Sequence, residues 1–239
     1  MSLDRLRYEL RLLGKPVFLT PPLVVMGLTL LLTLANRNVT AVTMARAIGG
    51  SLEMLLPMAA GIVVATIATH DPAIELQLTM PHCYHRTANA RFLFILLWSA
   101  VVSLLTSVLL LVLGHWRLPA QIAHWSQPWQ FLAWQLTWLS STLWLVALGL
   151  ALSLLLRSRS VSGALIGVFS FAEIVFHSVF DSYNFLHPFN LFPLTFTPGV
   201  DYWLANRVEL LGMAAVLLIL AWFLLRRSEL LLSHTPGEE

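Results

Sequence analysis

A chain of 239 residues that is 58% hydrophobic and only 11% charged carries about half the charged fraction of an average soluble domain, which points to a bilayer rather than water as its solvent. The net charge of +2 is too small and too scattered to bind nucleic acid, and the single cysteine excludes an intrachain disulfide. No G-x-x-x-x-G-K-[ST] stretch occurs and Lys15 is the only lysine, so the chain does not itself cradle ATP phosphates by the usual loop.

Along residues 1–15, Leu3, Leu6, Leu10 and Leu13 recur at helical spacing, while Arg5, Arg7, Glu9 and Arg11 lie mostly elsewhere on the wheel. This predicts an interfacial amphipathic helix on the inner leaflet. The stretch has neither an apolar h-region nor a small-residue cleavage site, so the first span is expected to serve as the insertion signal. Apolar runs suited to crossing follow at 17–35, 52–69, 92–113, 131–156, 162–180 and 208–225. Pro21, Pro22 and Pro57 each remove an N–H inside a span and predict bends there. Ten of the 14 Lys and Arg fall in alternate segments, with Arg37, Arg46, Arg117 and Arg207 in the others, so both termini are expected in the cytoplasm. The predicted fold is an all-α integral membrane protein with six transmembrane helices in one domain, 1–239, without internal repeats. Its expected location is the cell inner (plasma) membrane as a multi-pass protein.

On the outer side, Trp116, Trp125, Trp129, Trp134 and Trp138 are expected to form an interfacial belt, where an indole keeps its ring apolar and its N–H wet. Glu53, beside Gly49 and Gly50 at the outer end of the second span, is expected in a solvated or helix-N-terminal role. Gly163 and Gly167 have the spacing for close helix contact. The aromatic, proline-interrupted "DSYNFLHPFNLFPLTFTPGVDYW" reads as a re-entrant or capping structure, allowed where protein or water covers its backbone.

The polar stretch "THDPAIELQLTMPHCYHR" at 69–86 separates the second and third spans. Asp71-Pro72 is a good helix start, and Pro81 a stop, whereas the alternation in Ile74–Met80 has the period of a strand with no partner in this chain. A short helix is the preferred reading. His70, His82, Cys83 and His85 match no closed structural-zinc spacing, so no metal site is expected.

The run Leu55-Leu56-Pro57, followed by Glu75, Met80-Pro81 and the basic Arg86 and Arg91, resembles type-2 ATP-binding-cassette (ABC) exporter permeases from their second to third span. "FNLFPL" before the last span and "RRSELL" after it are similar too, so the resemblance covers essentially the whole chain. It departs after Pro81, where His82-Cys83-Tyr84-His85 replaces the usual hydroxyl and basic residues. The resemblance implies that the 70–86 loop is a coupling helix seated in a separate ABC ATPase subunit through Asp71, Glu75, Met80, Pro81 and Arg86. It further implies a second permease chain, identical or similar, that completes the path in contact with membrane lipids. The chain itself would then be no enzyme and bind no cofactor, ATP and Mg being used by the ATPase.

Glu173, His177 and Asp181 fall at i, i+4 and i+8 in the fifth span and are expected to form one stripe. A carboxylate in hydrocarbon costs several kcal/mol, so the stripe is either a polar lining of the substrate path or intramembrane packing. A proton-coupled carrier using these three residues is the competing function. An intramembrane serine protease is disfavoured, because Ser162 and His177 lie on one predicted helix roughly 22 Å apart along its axis.

Overall fold

The structure, a computed structural model, describes residues 17–31, 34, 40–67, 84–114, 118–156, 158–197 and 199–226. Those residues form an all-helical protein with four helices long and apolar enough to cross a membrane and two shorter apolar ones, as expected of a multi-pass membrane protein. In chain order, α1 is Val17–Leu31. A continuous rod follows, made of α2 (Ala41–Gly50), a π-helical turn (Ser51–Leu55) and α3 (Leu56–Ile67). Next come α4 (Tyr84–Val112), α5 (Gln127–Trp134), α6 (Leu136–Leu156), α7 (Arg159–Val175) and the one-turn α8 (His177–Ser182). A 3-10 helix (Asn184–Phe189), the short α9 (Pro193–Phe196) and α10 (Trp203–Arg226) complete the order. The predicted runs at 52–69, 92–113, 131–156 and 208–225 coincide with the four long helices, and those at 17–35 and 162–180 with the two shorter ones.

Three helices start five or more residues before their apolar runs. The rod containing α3 begins at Ala41, because the Thr40 hydroxyl caps the Thr43 amide and Ala45, Ile48, Leu52 and Leu56 continue one buried face backwards. Arg46 therefore lies on a helix rather than in a connection. In α4 the helix starts at Tyr84, so Tyr84, His85 and Arg86 occupy its first turn and Arg91 is buried within the helix. The coupling residues Asp71, Glu75, Met80 and Pro81 lie outside the described residues, as do residues 1–15 and the tail beyond Arg226. The third early start, in α10, brings Asn206 and Arg207 into the helix.

Proline defects are repaired locally. Pro22 supplies no N–H to the Phe18 carbonyl one turn earlier, and the Trp98 indole N–H of α4 donates to that carbonyl instead, at 3.0 Å. Phe18 also packs edge-on against Phe94, with ring centroids 5.2 Å apart. Pro57 likewise cannot serve Glu53, and the preceding turn widens into a π-helix in which the Leu56 amide reaches back to the Ser51 carbonyl.

Lipid tails are as apolar as leucine, so helices in a bilayer associate through close packing rather than water exclusion. The α3–α6 contact illustrates this: a Cβ at Gly149 would lie 2.5 Å from the Gly61 carbonyl oxygen, and one at Gly61 would lie 2.9 Å from the Leu145 carbonyl oxygen. The backbones approach until only glycine fits. Around this seam Ala65, Leu145, Ala147, Ile166, Leu210 and Ala214 form part of one buried cluster. A Cβ at Gly163 would meet Thr66 and Ile62 of α3 at ordinary contact distance, whereas no described residue stands within 4 Å of one at Gly167.

The tryptophan belt needs correction. Trp116 lies outside the described residues, Trp125 is half-buried and Trp129 exposed, but Trp134 and Trp138 are buried in the core. The Trp138 N–H is satisfied by Gln135 at 2.8 Å, so it needs no interfacial water.

Candidate functional site

The most polar part of the interior surrounds residues 190–197, the segment Asn190-Leu191-Phe192-Pro193-Leu194-Thr195-Phe196-Thr197. Irregular backbone inside an apolar environment must find a partner for every N–H and carbonyl it cannot pair within a helix. Here the donors can be followed one by one. The Asn190 amide donates to the His187 carbonyl. Those of Leu191 and Phe192 donate to Glu173 Oε1, the latter at 3.2 Å. Pro193 has none. Leu194 and Thr195 donate to the two carboxylate oxygens of Glu53, at 3.1 and 2.6 Å. Phe196 and Thr197 close the turn onto the carbonyls of Phe192 and Pro193. Two side-chain carboxylates thus replace a sheet or helix partner for four successive donors.

Glu53 is placed by the widened π turn and is only 1% exposed. It also accepts the Thr195 hydroxyl at 2.5 Å and pairs with Arg207 Nη2 at 2.8 Å. Arg207 is fully buried. Its Nη1 donates to the carbonyls of Thr137 and Leu191 and to the hydroxyls of Ser140 and Ser141, at 2.9–3.3 Å. Ser141 reinforces the same Leu191 carbonyl at 2.9 Å. One guanidinium therefore joins the Glu53 turn, α6, α10 and the 190–197 backbone. Removing one partner of such a buried pair costs about 3–5 kcal/mol, because the other charge is left without compensation.

Above this core, Asn206 of α10 donates to the carbonyls of His187 and Asn190, at 2.6 and 2.9 Å. Tyr202 donates its hydroxyl to Asp181 at 2.6 Å, accepts from Asn190 at 3.0 Å and stacks on His187 with centroids 3.7 Å apart. Burial, then the hydrogen bond to Asp181, raises the Tyr202 pKa above the ordinary tyrosine value. Gln121 bridges the far side, accepting from the Leu204 amide at 2.8 Å and donating to the Asp201 carbonyl.

The expected Glu173–His177–Asp181 stripe is not continuous. The helix is interrupted at Phe176 (φ −104°, ψ 22°), between α7 and α8. Each residue turns to a different part of 190–202: Glu173 to the Leu191 and Phe192 amides, His177 to the Phe196 ring at 4.6 Å, and Asp181 to Tyr202. The larger correction concerns Glu53 and Arg207, which composition assigns to water and the structure pairs in the interior. Their signal was present in the flanks, with Leu52 and Leu56 around one and Trp203, Leu210 and Ala214 around the other, all buried at helical spacing.

No protein family, curated protein or solved structure is found to match this chain. Its site is therefore read from its own geometry. Among the described residues no group of three His, Cys, Asp or Glu side chains is arranged to hold a metal ion. Of the four earlier metal candidates, His70, His82 and Cys83 lie outside the described residues. What the arrangement can do chemically is hold an irregular peptide segment rigidly between helices by charge-assisted hydrogen bonds.

Proposed function

We propose that this chain is the membrane-spanning permease subunit of an ATP-driven exporter of the type-2 ABC class. Six helices would cross the inner membrane with both termini cytoplasmic, and two chains, identical or paired with a similar one, would enclose the path. The observation that carries this reading links two motifs noticed separately in the sequence. "LLP" lies at the junction of the π turn with α3, "FNLFPL" spans residues 189–194, and Glu53 of that turn binds the amide of Leu194 and that of Thr195 just after it. Movement of the second span would then be transmitted directly to the segment preceding the last one. In this mechanism the 70–86 loop docks on an ATPase subunit through Asp71, Glu75, Met80, Pro81 and Arg86, and ATP and Mg are used there.

The test is purification of the tagged protein in mild detergent with identification of its companions and their ATPase activity. A nucleotide-binding subunit is expected, and its loss on Glu75→Arg, with insertion preserved, would fix the docking site. A chain that purifies without an ATPase would favour the proton-coupled carrier.

A further inference from the structure

The buried polar core contains two carboxylates and one guanidinium, and their pairing is unequal. Arg207 gives Nη2 to Glu53 and spends Nη1 on neutral carbonyl and hydroxyl oxygens. Glu173, 1% exposed, receives only the two backbone N–H groups of Leu191 and Phe192, both at Oε1. Its Oε2 is buried with no partner among the described residues. The other titratable groups around it leave this count unchanged. His177, one turn along the chain, stacks on Phe196; His187 and Asp181 are engaged with Tyr202; α3 and α6 bring no titratable residue. A second negative charge in this core would thus stand without its own cation, which an apolar interior strongly disfavours.

We propose that Glu173 is a reversible proton-binding site, with the proton carried on Oε2 while Glu53 and Arg207 remain an ion pair. Loading forms one O–H bond at Oε2 as one O–H bond of a hydronium ion breaks and leaves water, which cancels the surplus charge; unloading returns the proton to water as hydronium. Oε1 stays free to accept the Leu191 and Phe192 amides in both states. Unloading turns those two into bonds to a carboxylate, which are roughly twice as strong, so proton occupancy sets how firmly α7 grips the 190–197 segment. The charge count and the unpartnered Oε2 are the same whether the chain works with an ATPase or as a carrier.

The test is infrared difference spectroscopy of the full chain in lipid nanodiscs during a pH titration. A carboxylic-acid C=O band that shifts on deuteration, titrates reversibly and vanishes in Glu173→Gln is expected. Should that variant fail to fold, solid-state NMR of the unaltered protein, labelled at glutamate carboxyls and backbone amides, gives the same readout. A protonated carboxyl in contact with the Leu191 amide supports the proposal. A carboxylate there at every pH, or a protonated carboxyl that contacts the Leu194 and Thr195 amides instead, overturns it.

Discussion

Where α6 crosses α3, contact depends on missing side chains; where α6 meets α10 and the 190–197 segment, it depends on a guanidinium, three hydroxyls and two carboxylates nearby. Both regions solve the same difficulty, that apolar surface alone gives helices in lipid little reason to choose one neighbour over another. The glycine seam solves it by shape, and a single methyl group is enough to disturb it. The polar core solves it by bond direction, and loss of a single donor is enough to disturb it.

Substitutions can separate these two modes. The largest effect is expected from Arg207→Leu, which leaves Glu53 and the Leu191 carbonyl without their cation. A loss of about 3–5 kcal/mol is expected in reversible unfolding in mixed micelles, and Arg207→Lys should recover only part, because one ammonium cannot reproduce both faces of the guanidinium. Gly149→Ala comes next, since a Cβ there meets the Gly61 carbonyl at 2.5 Å. Overpacking of this kind costs roughly 1–3 kcal/mol, and a stability equal to the parent's would refute the seam. Tyr202→Phe removes two hydrogen bonds, the one donated to Asp181 and the one accepted from Asn190, each worth about 1 kcal/mol. The parent should hold this contribution in full below the ordinary tyrosine pKa and lose it as pH climbs above that toward the raised folded value, a dependence absent from the Phe variant. Smallest, and opposite in sign, is Gly167→Ala: no described residue stands within 4 Å of the added methyl, and removing a glycine from the helix interior should raise stability by roughly 0.5–1 kcal/mol in thermal unfolding.

The comparison also shows what a sequence makes readable. Long apolar runs announce their helices because hydropathy is a local sum, and the runs underlying α3, α4, α6 and α10 were legible for that reason. Charged residues at the ends of such runs were misread for the same reason. Glu53 and Arg207 lower the local sum and so resemble solvated ends, although they are 154 positions apart and cancel each other in space. Glu173 was recognisable as a costly residue, but its partners are backbone amides, and nothing in the letters Leu191 and Phe192 marks a free N–H. The proline-interrupted segment around "FNLFPL" foretold irregular backbone; only the fold reveals which side chains satisfy it. The break at Phe176 has no glycine or proline to announce it, and it removed the regular stripe that spacing alone had drawn.

By withholding one amide, Pro22 leaves the Phe18 carbonyl available to a neighbour, and Trp98 of α4 occupies it. Restoring the amide with alanine would perfect α1 as an isolated helix while giving the Phe18 carbonyl a second donor that weakens its bond to the indole N–H of α4. The attachment of the first helix to the bundle therefore draws on an imperfection in that helix's own ladder, so that local regularity and assembly compete for a single carbonyl oxygen.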